Sequence, residues 1–416
     1  MKFDVRNRVR YLSGRRQFFR QVGRGLLATG ALVPAMQIGR ATGAASVQPA
    51  DCNLDVTLPG RLGNPDLTLL EDVRLDPRVR KIMGAAPPGN PGEFLPKITM
   101  TSSYEDSLNW VGAMEKMLQS GDAAALAAMP EFADLVTSKE TVRGVDANEI
   151  ALYIDRPEKQ SRNLPCIVHI HGGGMSFTST QNPSAVRWRK TLAQQGMVVV
   201  GVEFRNAGGA LGIHPFPAGL NDCARAVHWV HDNRSSLDIS SIVIAGESGG
   251  GNLAIATAIK ANLEGWINKI DGVFAMAPMI LGFYSSVPPE LLSWRENEGY
   301  QGTLEMMRTM TRVYDPGDKH EYDPLAWPFH ATNKVLRGLP PHIITNYELD
   351  LIRDDGAIYA RKLQDSGVSA ISYTVDGAPH VPEIVMPDVI PELTLDTVGS
   401  IVRFAGALAS ETKLPG

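Results

Sequence analysis

Cysteine is scarce in this chain: three in 416 residues, Cys52, Cys166 and Cys223. No Cys-x-x-Cys pair and no Cys/His ligand spacing occurs, so neither a structural zinc nor any other metal site is expected. An odd number of thiols also speaks against a disulfide framework, and the apolar surroundings of Cys166 and Cys223 predict two small buried hydrophobes. Internal repeats and low-complexity tracts are absent. A net positive charge is missing beyond the first 45 residues, which hold nine of the 40 basic residues and only one of the 45 acidic ones. The acidic remainder excludes nucleic acid and anionic lipid as natural partners.

What is present is ordinary globular material, 44% hydrophobic and 20% charged, with 40 glycines and 28 prolines spread along the length. That supplies a sizeable core in one large domain or two of usual size. The basic head has its own order. Gly14 to Arg20 reads "GRRQFFR", followed by the apolar "GLLATGALVPAM" and the small residues "ATGAAS". A basic region, an apolar region and a small-residue cleavage site in that sequence predict an export signal of twin-arginine type over residues 1–45. Its apolar run is too short and too glycine-rich for a spanning helix. An exported protein, periplasmic or secreted, with no stable membrane span is therefore expected.

From about Leu164 onward, short β-branched runs alternate with helical patterns. The runs are "CIVHI" (166–170), "MVVVGVEF" (197–204), "SIVIAGE" (241–247), "GVFAMAP" (272–278), "HIITNY" (342–347) and "ISYTVDG" (371–377). Near-continuous apolar runs of that length read as strands buried on both faces of a parallel sheet. Between them "SAVRWRKTLAQQG", "GLNDCARAVHWVHDN", the stretch after Ser248 and "DDGAIYARKLQDSG" read as helices, with a last one near Leu393 to Ala409. After Ser248, Leu253, Ala256, Ile259 and Leu263 recur at helical spacing, so one face of that helix is expected on the sheet. The result is a doubly wound α/β fold with a mostly parallel sheet. Residues 136–416 form its body, opening with an antiparallel hairpin over Val136 to Pro157. Two stretches break the alternation. Residues 46–135 are proline-rich and then helical ("YEDSLNWVGAMEKMLQ"), and 279–339 interrupts two strands with helical sequence from Glu290 to Tyr314. Both are expected to build a helical cap above the carboxyl ends of the strands, where such folds bind ligands.

Gly246-Glu247-Ser248-Gly249-Gly250 fits G-x-S-x-G between a strand and a helix, the context that motif requires. Serine at so sharp a turn takes a strained backbone, and neighbours lacking a Cβ let strand and helix close up. Its hydroxyl then lies at the positive end of the following helix. Glycine-rich turns of this kind also bind nucleotide phosphates, but no Gly-Lys-Ser/Thr follows and G-x-G-x-x-G spacing is missing. Ser248 is thus the candidate nucleophile.

A hydroxyl at its normal pKa needs a base. Of nine histidines, His169 falls in a strand, His228 and His231 on a helix, His320 and His330 in the cap, and His342 at a strand start. His380, in the loop after the last strand, shares the carboxyl edge with Ser248 and is the candidate base. "NYELDLIRDDG" offers Glu348, Asp350, Asp354 and Asp355 as the acid. Asp350 lies just past a strand and within reach of an imidazole; Asp354 and Asp355 read as N-cap and first turn of a helix. Three glycines in "HIHGGGMSF" (169–177) point to backbone amides that approach a ligand. Gly173 and Gly174, with Gly249, are the expected oxyanion-hole donors, and His171 the expected anchor of their loop.

With these pieces in order, the chain resembles the hormone-sensitive-lipase branch of the α/β-hydrolases. "HGGG" (171–174), "FRNAGGALGIHPFPAGLND" (204–222), "GESGGGN" (246–252), "DLIRDDG" (350–356) and "GAPH" (377–380) follow the family order to the C-terminus. "GESGGGNLAIAT" is especially similar to the brefeldin A esterase type. The resemblance implies a serine carboxylesterase with triad Ser248, Asp350 and His380, no cofactor, and a cap shaping acyl and alcohol pockets. It further implies a small-molecule partner, a short- to medium-chain ester or a lactone. Four departures stand out. Glu247 replaces the commoner aspartate, Leu351 a proline, Val381-Pro382 a Gly-Phe, and "NAGG" the family's Ala-Pro-Glu. They bear on substrate preference more than on catalysis. An amidase or peptidase using the same triad, and a ligand-binding module with a dormant one, are the competing readings.

Overall fold

The computed structural model describes residues 57–85, 95–159 and 163–411. The twin-arginine-like head and Cys52 fall outside these residues. The apolar runs form strands much where the sequence places them: β1 (Leu135–Arg143), β2 (Glu149–Pro157), β3 (Leu164–Ile170), β4 (Val198–Glu203), β5 (Ile239–Glu247), β6 (Gly272–Met276), β7 (His342–Tyr347) and β8 (Ala370–Val375). They join in one eight-stranded sheet of order β1-β2-β4-β3-β5-β6-β7-β8. β1 and β2 are the expected hairpin, β2 runs antiparallel to β4, and every later pairing is parallel. Strands β5, β6 and β7 are buried at every residue, as strands sandwiched between helical layers must be.

Among the described residues, helices of eight or more residues are α1 (Pro77–Gly84), α2 (Tyr104–Gln119), α3 (Pro183–Ala193), α4 (Ala218–Asp232), α5 (Gly249–Leu263), α6 (Leu304–Tyr314), α7 (Arg353–Asp365) and α8 (Pro391–Glu411). Local chemistry sets their starts. Ser103 and Asp106 close a capping box on α2, and Asn182 caps α3 with Pro183 in its first turn. Thr303 caps α6 through the Met306 amide.

Three expectations need correction. "ISYTVDG" is not buried on both faces: β8 is an edge strand paired only with β7, and Ile371 is 59% exposed. α7 packs on it, whereas α8 lies mainly on β3, β5 and β6. Helix α5 is buried on nearly all sides, not on one face, because it is wedged between the sheet, α4 and the segment around 328–336. Leu263, expected on its packed face, is 55% exposed at the end of the helix. In the stretch 290–314 only Ser293–Glu296 and α6 are helical, and the chain between them is loop.

Segment 57–119 lies against elements far away in sequence. Arg312 of α6 reaches Met100 O at 2.7 Å and Ser107 Oγ at 3.3 Å, so α2 and α6 are tied together. Leu69, Leu75 and Val79 form a second apolar cluster with Tyr300, Leu349 and Ile390. Both buried thiols, Cys166 and Cys223, are free and wholly enclosed, and burial pushes Cys166 up to about 12.

Candidate active site

β5 delivers Ser248 to the carboxyl edge, and the backbone there is strained: φ is 55° and ψ −119°, a left-handed conformation for a residue with a Cβ. Hydrogen bonds hold it in place, from Ser248 N to Met276 O at 2.8 Å and from Met279 N to Ser248 O at 3.1 Å. The surrounding glycines are sterically required. A Cβ on Gly246 would meet Gly250 O at 2.4 Å, and one on Gly250 would meet Ile170 O at 2.0 Å. At Gly249 it would fall 2.7 Å from Gly174 N and 2.5 Å from Met175 N. The serine turn and the triple-glycine loop are therefore in direct contact.

In that loop Gly173 (φ 98°), Gly174 (φ 58°) and Met175 (φ 58°) all have left-handed backbones. Among the described residues, no hydrogen bond takes the amides of Gly173, Gly174 or Gly249. Three N–H donors are thus available beside Ser248. His171 Nδ1 sits 2.9 Å from Gly172 O and 3.0 Å from Thr178 Oγ1, and its ring stacks on Phe204 at 4.4 Å. Burial lowers its pKa to about 4, against the opposing pull of the Gly172 carbonyl and Glu247, so the ring is neutral near pH 7.

β7 and β8 bring the other two residues together. Asp350, 5% exposed, follows β7, and His380 lies in the loop after β8. Asp350 Oδ2 is 2.6 Å from His380 Nδ1, and Asp350 Oδ1 accepts from Ile352 N at 3.2 Å. Burial acts to lower the His380 pKa. Asp350, joined by Glu247 and Glu383, outweighs it and leaves the imidazole above its usual value. Val381, directly after the histidine, is buried in a left-handed conformation (φ 41°) at the place where the resembled family has glycine.

Asp354 and Asp355 both lie in the first turn of α7, but neither is its N-cap: Ile352 occupies that position and α7 has no side-chain cap. Both carboxylates instead reach across to the segment 293–294, Asp354 accepting from Ser293 N at 2.8 Å and Asp355 from Trp294 Nε1 at 2.6 Å. Burial is complete at Asp355 and pushes its carboxyl well above the ordinary range, so it serves as a structural acceptor.

Several contributors had roles that the sequence did not reveal. Glu247 accepts from Gly172 N at 2.8 Å and contacts His169 Nε2 at 3.0 Å, linking the serine turn to the glycine loop. Gln301 Oε1 accepts from His380 N at 2.7 Å. Asn297 donates to the carbonyls of Glu348 and Asp350, each at 2.9 Å. Glu348 accepts from Gly377 N at 2.6 Å, and Arg74 pairs with Asp72 and Glu296 beside it. Of the six large cap residues Trp294, Tyr300, Met306, Met307, Met310 and Trp327, Met310 is placed against the loop: a Cβ on Gly174 would meet its Sδ at 2.5 Å. Trp294 and Trp327 are wholly buried.

No group of metal-binding side chains occurs among the described residues, and no described helix is long and apolar enough to cross a membrane. Residues 167–383 match a family described as having the alpha/beta hydrolase fold. A carboxylesterase of Mycobacterium tuberculosis, NlhH, is 31% identical over 247 residues, 58% of this chain and 73% of the relative. An arylesterase of Saccharolobus solfataricus is 30% identical over 235 residues, 56% of this chain and 72% of the relative. Among solved structures, brefeldin A esterase, described as a bacterial homologue of human hormone-sensitive lipase, superposes with a TM-score of 0.78 at 38% identity. That likeness covers 85% of this chain and 99% of that one. Esterase Est22 gives 0.72 at 34% identity, covering 81% and 98%. The chain belongs to the alpha/beta-hydrolase family and is an ester-hydrolysing enzyme.

Proposed function

We propose that Ser248, His380 and Asp350 carry out ester hydrolysis through an acyl-enzyme, on short- to medium-chain esters or a lactone. Ser248 Oγ attacks the carbonyl carbon while His380 Nε2 takes the hydroxyl proton. The carbonyl π-bond electrons move to oxygen, and the amides of Gly173, Gly174 and Gly249 stabilise that oxyanion. Collapse expels the alcohol, which leaves with the proton from His380. Water then adds to the acyl-serine by the same route, releasing the acid and restoring Ser248. Asp350 fixes the imidazole tautomer and stabilises the imidazolium without itself accepting the proton. The observation that carries this reading is the 2.6 Å contact of Asp350 with His380 Nδ1, which leaves Nε2 for proton transfer. The strained serine beside three uncommitted amides supports it further.

The described residues of 46–135, together with 279–339, act as the cap that sizes the pocket, a reading supported by the ties between α2 and α6. Met310 against Gly174 limits the room beside the proposed oxyanion donors. The twin-arginine-like head directs export. Replacing Arg15 and Arg16 by lysine tests that, and precursor retained in the cytoplasm is the expected result.

The test of the chemistry is a p-nitrophenyl ester series, acetate to palmitate, with the matching anilides, on residues 46–416 beside Ser248→Ala. Ester turnover that peaks at a short chain and disappears in the variant is expected. Turnover that survives Ser248→Ala, or anilides cleaved as fast as esters, overturns the reading.

A further inference from the structure

Glu115 is a carboxylate in an unexpected place. It lies on α2, in the segment ahead of the hydrolase body, and is only 3% exposed. Among the described residues no lysine, arginine or histidine pairs with it. Its partners are two backbone amides from separate loops, Thr178 N at 2.9 Å to Oε1 and Ala210 N at 2.5 Å to Oε2. Burying an acidic side chain without a cation is costly, and backbone donors offset that cost only while both are held in place.

Thr178 closes the triple-glycine loop. Its backbone is left-handed (φ 74°), and its hydroxyl lies 3.0 Å from His171 Nδ1 and 3.2 Å from Gly172 O. A Cβ on Gly173 would meet Thr178 Oγ1 at 2.9 Å. Moving the Thr178 amide therefore moves the frame that fixes Gly173 and Gly174.

A second observation comes from the opposite side of the carboxylate. A Cβ on Gly209 (φ 72°) would fall 2.6 Å from Glu115 Oε2, and one on Gly208 would fall 3.1 Å from Val111 Cγ1 and 3.4 Å from Leu108 Cδ2. Those two glycines belong to the "NAGG" that stands where the resembled family has Ala-Pro-Glu, with Gly209 at the glutamate's position. Here the loop has no side chain at that point, and the space holds a carboxylate from α2.

We infer that Glu115 is a positioning residue of the oxyanion loop, through which helix α2 of the leading segment sets the enzyme's grip on the transition state. The inference rests on the oxyanion role proposed for Gly173 and Gly174. Glu115 touches no substrate; it acts through Thr178.

The test compares Glu115→Gln with the parent enzyme. The substituted side chain keeps the shape of the original but turns an amide donor toward one of the two N–H groups. Four quantities are read: kcat and KM on p-nitrophenyl butyrate, inhibition by a trifluoromethyl ketone, organophosphate labelling of Ser248, and the melting temperature. The ketone adds Ser248 and places an oxyanion in the hole. A small misplacement of the donors is expected to lower kcat by about 10²-fold with KM little changed. Ketone affinity should fall in step with kcat while the protein stays folded at the assay temperature. Unchanged kcat and ketone affinity in folded Glu115→Gln overturns the inference, as does a rate loss with full ketone affinity. If that variant does not fold, Gly209→Ala decides, because its methyl group displaces the carboxylate from the other side and should give the same paired losses. Failure of the serine mechanism reads differently: turnover or labelling would then survive Ser248→Ala, whatever Glu115 does.

Discussion

His380 Nδ1 and Asp350 Oδ2 are 2.6 Å apart, although 30 residues separate them and each stands at the end of a different strand. The pair governs pH dependence. A general base must be neutral, so kcat/KM should fall as pH drops through the raised His380 pKa. In Asp350→Asn the closest anion is lost, burial prevails, and the acid limb should move to lower pH. Turnover should fall on the order of 10⁴-fold. Profiles of kcat/KM against pH for both proteins check this. An acid limb that stays in place would assign it to another group, and a near-normal rate in Asp350→Asn with loss in Asp354→Asn would move the acid to Asp354.

For Ser248→Ala, kcat should drop on the order of 10⁶-fold, leaving what the amides and binding supply. Active-site titration with an organophosphate should find no labelled serine in this variant and one per chain in the parent.

Gly249→Ala probes the contact between the two loops without touching a reacting side chain. Its new methyl group must displace the amides of Gly174 or Met175, which lie 2.7 and 2.5 Å from the Cβ position. A loss of about 10²-fold in kcat is expected, the scale of one removed oxyanion donor. Steady-state kinetics on the folded variant decide the matter, and a rate within a factor of about two of the parent would remove Gly174 from the oxyanion site.

Glu247→Ala strands the buried His169 Nε2 and the half-buried Gly172 amide. An unsatisfied buried group costs about 1–3 kcal/mol, so urea unfolding should show a loss of that order. The urea midpoint should fall with little change in the slope of the transition.

The strands were legible because burial on both faces leaves an unbroken apolar run; "HIITNY" gives the bounds of β7 to the residue. The same rule misplaces β8, since an edge strand can carry the composition of a central one and only its neighbours tell them apart. Helix α5 deceives for a related reason: an amphipathic spacing is also found in a helix that is apolar nearly all round. Ser248, Asp350 and His380 could be picked out as the proposed triad because chain order and strand ends are both visible in sequence. Asp354 and Asp355 read as N-cap and first turn on local grounds; the first turn holds, but their partners Ser293 and Trp294 are 61 residues away. Glu115 had no local mark at all, being one acid on an amphipathic helix whose partners lie 63 and 95 residues on. Its only trace was the missing side chains of Gly208 and Gly209.

The crowding around Ser248 bears on how this fold can drift. Gly246, Gly249 and Gly250 have backbone atoms where their Cβ atoms would be, so their identity is fixed by assembly of the strand and helix rather than by chemistry. The hydroxyl at 248 is under no such constraint, since the position already tolerates a Cβ. A descendant that abandoned hydrolysis could exchange the serine in one step and would still carry the glycines. Inheritance of the glycine frame then reports ancestry, and only the residue at its crest reports the trade.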